Sequence, residues 1–96
     1  MSKKAVTHNY AFVFYDIAES RCQKVFKVCK QYFAHHQLSV FRGRITPSAL
    51  IEFQDKLKKI IVEDEDTISI VTIMNENMIN EITIGENKKD GESLII

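Results

Sequence analysis

The 96-residue chain contains no tryptophan, one proline, three glycines and two cysteines. It has no run of about eighteen apolar residues, so we expect no membrane-spanning helix. Residues 1–8 include lysines but no apolar core, which argues against a secretory signal there. Two cysteines without such a signal predict reduced thiols in the cytoplasm rather than a disulfide framework. The length predicts a single domain over residues 1–96, with residues 1–8 flexible.

Positive and negative charges are separated along the chain, although they cancel overall. Residues 1–60 carry eleven lysines and arginines against four acidic residues, a balance of +7. Residues 61–96 carry two lysines against nine acidic residues, a balance of −7. The basic part could attract phosphates, and two ordinary solvated surfaces explain the separation equally well. Charge alone therefore leaves nucleic-acid binding open.

Apolar patterning in the first half of the chain predicts two strands and a helix between them. The aromatic run at residues 10–15 is typical of a strand buried on both faces. Glu19 and Ser20 predict the start of the helix. Its apolar face, at helical spacing, consists of Cys22, Val25, Phe26, Cys29, Tyr32 and Phe33. Residues 37–45 predict the second strand, with a bend at Gly43.

The second half predicts another helix and two more strands. Thr46 is the expected N-cap of this helix, and Pro47 suits its first position. Residues 67–73 and 78–84 predict the third and fourth strands. Residues 85–96 predict a loop and an apolar C-terminal strand that pairs with a second copy of the chain. The order predicts an α+β, ferredoxin-like sandwich: an antiparallel sheet with two helices on one face and a C-terminal strand exchanged across a homodimer.

Asp16 directly follows the first predicted strand and is the candidate cation ligand. A carboxylate at a strand end can bind Mg²⁺, which prefers oxygen ligands and keeps several waters. One carboxylate is a poor site, but a two-fold axis would supply a second Asp16. Mg²⁺ held there would activate water and neutralise charge on a phosphodiester. The alternative is that Asp16 caps the first helix.

Four basic residues recur every third position on the first predicted helix: Arg21, Lys24, Lys27 and Lys30. We expect an outward-facing stripe that either follows a nucleic-acid backbone or is a plain solvated surface. Arg42 and Arg44 add positive charge beside Gly43. Tyr15 could hydrogen-bond a phosphate, although an aromatic residue at a strand end is more often part of the core.

Cysteines and histidines do not predict a metal site. Cys22 and Cys29 lie two helical turns apart on the apolar face, unlike the Cys-x-x-Cys spacing of zinc sites, so we expect both in the core. The side chains of His35 and His36 diverge and have no evident third ligand, which favours a histidine pair in a loop.

Several short motifs occur together in a fixed order. Along the chain they are Tyr15-Asp16-Ile17, Arg21, Lys24-Val25, Gln37-x-Ser39-Val40-Phe41-x-Gly43 and Thr46-Pro47. In combination they closely resemble the CRISPR-associated Cas2 family, over residues 10–73. The resemblance implies a ferredoxin-like protomer that forms a homodimer, with C-terminal strands crossing to the partner.

The resemblance implies two functions for the dimer. In CRISPR adaptation it would bridge dimers of the Cas1 integrase and capture duplex DNA. From the residue pattern, we expect Tyr15 and the basic residues named above to contact that DNA. As a nuclease dependent on Mg²⁺ or Mn²⁺, it would hydrolyse single-stranded RNA or duplex DNA. Asp16 then falls on the family's catalytic, metal-binding aspartate, and its symmetry mate completes the site. From the sequence we favour bridging, because one carboxylate per chain is a small catalytic apparatus; whether the chain is an enzyme stays open.

The chain also departs from the family pattern. Arg42 stands where members often carry an acidic residue, and the glycine usual before the second strand is absent from residues 33–36. The segment after Gly85 does not align with the family, so Cas1 contacts are not assigned there. A VapD-like toxin, a messenger-RNA endoribonuclease with the same fold, is the alternative, and Ser39-Val40-Phe41 argues against it.

Overall fold

The computed structural model describes residues 9–85, which include four strands and two helices. In chain order these are β1 (Tyr10–Asp16), α1 (Glu19–Tyr32), β2 (Ala34–Gln37), β3 (Val40–Arg44), α2 (Pro47–Lys58) and β4 (Thr67–Ile73). A 3₁₀ turn, Glu76–Met78, follows β4. Within residues 9–85, no helix is long and apolar enough to cross a membrane. The predicted flexible start and the predicted exchanged strand fall on residues 1–8 and 86–96, outside the described residues.

The four strands form one antiparallel sheet in the order β2-β3-β1-β4. The strand β1 is central and pairs with both β3 and β4. Both helices pack on the same face of this sheet, and the opposite face is called the open face below. The order β1-α1-β2-β3-α2-β4 is the split β-α-β arrangement of ferredoxin-like proteins, so the predicted α+β class is confirmed.

The core lies between the two helices and one face of the sheet. Side chains alternate along β1, so Ala11 and Val13 are fully buried, whereas Phe14 on the open face is 43% exposed. The helices and β3 contribute the remaining large core residues: Val25, Cys29, Phe41, Leu50, Phe53 and Leu57. This packing fixes the end of β1 against α1, where the candidate site lies.

The second helix begins as the sequence predicts. The Thr46 hydroxyl accepts a hydrogen bond from the Ala49 N–H at 3.1 Å, and Pro47 occupies the first helical turn. The first helix begins differently, because its N-cap residue, Ala18, has no side chain that can accept a hydrogen bond. Its first turn therefore needs an acceptor from elsewhere in the fold.

The predicted strand at residues 37–45 is confirmed only over Val40–Arg44, because the chain reverses just before it and forms a hairpin with residues 34–37. Leu38 and Ser39 connect β2 to β3, and Leu38 has a positive φ of 44° that reverses the chain. The strand β2 consequently includes His35 and His36, which lie in a strand and not in a loop.

The predicted strand at residues 78–84 is also wrong. The Asn75 side chain accepts a hydrogen bond from the Asn77 N–H at 2.8 Å and starts the 3₁₀ turn, after which residues 79–85 form no strand. The physical reason is tertiary. Glu76 and Glu81 form ion pairs with arginines of β3, so the segment lies beside the open face instead of extending the sheet.

Candidate functional site

Asp16 is the last residue of β1 and lies on the open face, in line with Phe12 and Phe14. Its side chain is exposed. Among residues 9–85, no group donates a hydrogen bond to its carboxylate or forms an ion pair with it. The carboxylate is therefore available to an external ligand.

Asp66 performs the capping role that was the alternative for Asp16. Its buried carboxylate accepts hydrogen bonds from the backbone N–H groups of Ala18 at 2.9 Å and Val62 at 2.8 Å. Since Ala18 is the N-cap of α1, Asp66 satisfies the start of this helix from across the fold. Sequence reasoning missed Asp66 because it lies in an acidic loop and its partner Ala18 is 48 positions away.

Arg21 pairs with the buried Asp66 and is itself mostly buried, so the prediction that it faces outward is wrong. Its Nε donates to Asp66 at 2.6 Å, its Nη2 donates to Glu65 at 2.7 Å, and its side chain is only 19% exposed. The hydrogen bond from Arg21 holds the pKa of the Asp66 carboxyl well below its usual range, although burial acts in the opposite direction.

The predicted basic stripe is therefore reduced on α1. A step of three residues falls short of a full turn of 3.6 residues, so residues spaced in this way move around the helix. Arg21 consequently faces the acidic loop. The exposed basic residues of this helix are Lys24, Lys27 and Lys30.

The arginines of β3 are paired with acidic residues of the same chain. Arg42 forms an ion pair with Glu81, and Arg44 forms one with Glu76. The hydrogen bond from Arg42 lowers the pKa of the Glu81 carboxyl. His36 Nε2 also lies 3.8 Å from Glu81 Oε2. A nucleic acid would have to displace these carboxylates to bind either arginine.

Tyr15 and Asp16 lie on opposite faces of β1 but line one cavity at the end of the strand. This cavity has a volume of about 250 Å³, and its lining residues are Tyr15, Asp16, Ile17, Cys22, Leu38 and Ser39. The Tyr15 ring faces the core side, with its centroid 6.2 Å from that of Phe41. Burial, with a smaller contribution from Cys29, raises the pKa of the Tyr15 hydroxyl well above its usual range. Tyr15 thus has the environment of a core aromatic residue.

The cysteines and histidines lie in separate surroundings. Cys29 is fully buried, and burial raises the pKa of its thiol to about 12. Cys22 is partly buried, and its Sγ donates to the Ile17 carbonyl at 3.4 Å. His35 packs against aromatic rings of the core, whereas His36 faces the open side of the sheet.

A metal site within one chain would rest on Asp16. In the described part of the chain, no group of three or more His, Cys, Asp or Glu residues could hold a metal ion. The free carboxylate of Asp16 fits Mg²⁺ as a single oxygen ligand, and Mg²⁺ commonly keeps several waters. A fuller set of protein ligands requires a second copy of the chain.

The fold and the site define a small ferredoxin-like protein with a free carboxylate at the end of its central strand and exposed apolar side chains on one sheet face. Residues 9–81 match the family model of CRISPR associated protein Cas2. The chain belongs to the Cas2 family, which confirms the resemblance seen in its sequence motifs.

Individual relatives agree with this assignment. The chain is 36% identical over 80 residues to CRISPR-associated endoribonuclease Cas2 3 of Thermodesulfovibrio yellowstonii, covering 83% of this chain and 91% of that protein. It is 34% identical over 79 residues to CRISPR-associated endoribonuclease Cas2 of Nanoarchaeum equitans, covering 82% and 87%. A crystal structure of Cas2 matches with a TM-score of 0.77 at 33% identity, covering 92% of this chain and 99% of that one.

Proposed function

We propose that this Cas2 protein is a homodimeric endoribonuclease of the CRISPR system, with a Mg²⁺ site formed by Asp16 and its symmetry mate. The observation that carries the proposal is the exposed Asp16 carboxylate, which has no partner among residues 9–85. The substrate class comes from the relatives, since both proteins described above are named endoribonucleases. Capping of α1 by Asp66 supports the proposal, because it leaves Asp16 without a structural task.

The open face supports the homodimer. Phe14 is 43% exposed and Val71 is 50% exposed, and both side chains lie on this face. Clustered apolar side chains on a surface mark an interaction site, and a two-fold axis pairs such a surface with itself. Asp16 shares the face with Phe14. If two open faces pair at the end of the sheet where Asp16 lies, the two Asp16 carboxylates come together.

The chemistry follows from what Asp16 can hold. Bound Mg²⁺ would supply water activation and neutralisation of phosphate charge. Asp16 would contribute an oxygen ligand from the last position of β1, where the strand pairs with Thr67 of β4. The Arg21–Asp66 pair fixes the adjacent start of α1 and keeps this turn in place.

Cleavage of labelled single-stranded RNA by the purified full-length protein tests the proposal. We expect cleavage in Mg²⁺ that EDTA abolishes, and we expect Asp16→Asn to remove it. Asp55→Asn is the matched control, because Asp55 is an exposed acidic residue of α2 and the change in charge is the same. Cleavage that persists in Asp16→Asn, with the dimer intact, would overturn the proposed site.

A second candidate function is the bridging of Cas1 dimers on duplex DNA. The observation that favours it is the position of Lys24 and Lys27, which are exposed on α1 and therefore lie on the side of the sheet away from the open face. A dimer formed through the open faces would keep these lysines on its outer surface. They could then contact a DNA backbone without regard to sequence.

Spacer integration in vitro with the cognate Cas1 separates the two functions. If Asp16→Asn integrates as well as the wild type, Asp16 is dispensable for adaptation and the dimer acts there as a bridge. Charge reversal by Lys24→Glu or by Lys27→Glu should weaken duplex binding, and Lys59→Glu, which makes the same change in net charge at another exposed position, is the control. If the lysine variants and the wild type bind the duplex equally well at matched salt, these lysines do not contact the DNA. RNA cleavage by a protein that never supports integration would favour the VapD-like alternative.

A further inference from the structure

The tip of the β2–β3 hairpin has an unusual backbone conformation. Leu38 adopts a φ of +44°, a region that bulky residues rarely occupy and that glycine or asparagine fills at lower cost. The residue is also 73% exposed, so packing of its side chain does not compensate for the strain. The chain thus keeps a large apolar side chain at a position where its backbone is unfavourable.

The rest of the hairpin holds this tip in place. His35 Nε2 donates to the Leu38 carbonyl at 2.7 Å, and the Tyr15 N–H donates to the Ser39 carbonyl at 3.1 Å. The imidazole of His35 packs against two core rings, with centroid distances of 5.0 Å to Phe26 and 4.9 Å to Phe41. These contacts connect the tip rigidly to the core and to the end of β1.

Two other irregular features lie in β2, the strand that leads into the tip. His35 Nδ1 is buried and has no hydrogen-bond partner. The pairing of β2 with β3 also shifts its register between His35 and Gln37. Strained backbone and unsatisfied groups of this kind concentrate at functional sites, where the surrounding structure enforces them.

The tip adjoins the candidate site. Leu38 and Ser39 line the same cavity as Asp16. The hydrogen bond to Ser39 comes from Tyr15, the residue directly before Asp16. A substrate whose phosphodiester lies at Asp16 would therefore have its neighbouring nucleotide beside Leu38.

We propose that Leu38 is a substrate-positioning residue that packs against an unpaired nucleobase next to the phosphodiester at Asp16; this inference rests on the nuclease function proposed above. The Leu38 side chain is uncharged and has no hydrogen-bonding group, so it cannot bind a phosphate. It can contact the apolar face of a base, and base faces are accessible in single strands but stacked within a duplex. Leucine side chains that insert between the base steps of bent DNA likewise contact base faces, but only after those steps have been unstacked at a cost in energy. Leu38 would thereby favour single-stranded over duplex substrate.

Three substitutions of Leu38 test its apolar side chain and its backbone strain through two readouts, RNA binding for the side chain and the unfolding midpoint for the strain. Leu38→Asn and Leu38→Gly relieve the strain and remove the apolar contact, whereas Leu38→Met keeps both. Ile51→Asn is the control for loss of an exposed apolar residue, since Ile51 is 60% exposed on α2. Binding is measured by fluorescence anisotropy in an Asp16→Asn background, with a single-stranded RNA, the same RNA with abasic positions, and a DNA duplex.

We expect Leu38→Asn and Leu38→Gly to raise the unfolding midpoint yet to weaken binding of the single-stranded RNA, roughly fivefold for the loss of one base contact. Leu38→Met and Ile51→Asn should bind this RNA as the parent does, and duplex affinity should not change. The abasic RNA should bind equally well to the Asp16→Asn protein that keeps Leu38 and to the one that also carries Leu38→Asn. In the cleaving protein with Asp16 restored, Leu38→Asn should raise KM more than it lowers kcat.

Two results would overturn the inference while leaving the nuclease function intact. One is a Leu38→Asn protein that cleaves single-stranded RNA at the wild-type rate, with the KM and the RNA affinity unchanged. The other is an equal loss of affinity for single-stranded RNA and for duplex. A wild-type protein that neither binds nor cleaves single-stranded RNA would instead overturn the proposed nuclease function, and the role of Leu38 with it.

Discussion

The carboxylate of Asp66 accepts a hydrogen bond from Arg21 Nε at 2.6 Å, across 45 positions of the sequence. This pair connects the first turn of α1 to the loop before β4, and the same carboxylate caps the helix at Ala18. Two acidic residues near one end of the sheet therefore have different tasks. Asp66 stabilises the fold, and Asp16 is exposed and has no hydrogen-bond or ion-pair partner within residues 9–85.

Replacement of Asp66 by asparagine should destabilise the protein. The variant loses the charge that pairs with Arg21, and the Arg21 guanidinium is then left without its closest partner in a mostly buried position. We expect a clearly lower urea midpoint at neutral pH. Asp64→Asn, in the exposed part of the same loop, is the matched control and should leave the midpoint unchanged. Equal midpoints for the two variants would contradict a stabilising role of Asp66.

The stability of the wild type should also fall in acid. The pKa of Asp66 is lowered in the folded chain from its ordinary value of 3.8, so its contribution is fully present above that pH. As the pH falls below 3.8, the unfolded chain takes up the proton before the folded chain does, and the contribution decreases. Between pH 6 and pH 2, the free energy of unfolding should decrease less for Asp66→Asn than for the wild type, as measured by urea unfolding at each pH.

Elements with strong local patterns could be predicted from the sequence. The apolar run of β1 and the helical spacing of α1 identify these elements. The N-cap at Thr46 also marks the start of α2. Asp16 is likewise recognisable, because its position depends only on where β1 ends. Each of these features arises from residues close together in the chain.

Features that depend on distant partners were not predictable in the same way. The hairpin at Leu38 has no glycine or asparagine to mark a turn, so the sequence pattern of residues 37–45 predicts one strand. The pairing of Arg21 with Asp66 is set by tertiary packing and not by spacing along α1. The ion pair between Arg42 and Glu81 likewise joins the basic half of the chain to its acidic half.

Neutralisation of Glu81 should increase nucleic-acid binding. Glu81→Gln removes the carboxylate that pairs with Arg42, which then becomes available to a phosphate. We expect tighter binding of single-stranded RNA and a salt dependence steeper by about 0.7 for one added phosphate contact. Glu63→Gln makes the same change in net charge at an exposed position and is the control. An equal gain in both variants would show a general charge effect and would exclude a specific role of Arg42.

A charge on the open face should dissociate the proposed dimer. Phe14→Glu places a carboxylate among the apolar side chains of this face, where burial in an interface would be costly. Sedimentation at micromolar concentration should then show a monomer. Ile51→Glu, on the exposed surface of α2, should leave the dimer intact. A Phe14→Glu protein that remains dimeric would place the interface elsewhere.

The most direct test of a shared metal site is the activity of a mixed dimer. Differently tagged wild-type and Asp16→Asn chains are co-expressed, and the mixed dimer is isolated through both tags. If the two Asp16 carboxylates form one site, this dimer should cleave single-stranded RNA in Mg²⁺ no better than the Asp16→Asn homodimer. Cleavage at about half the wild-type rate would mean that each chain acts alone, and it would contradict the shared site.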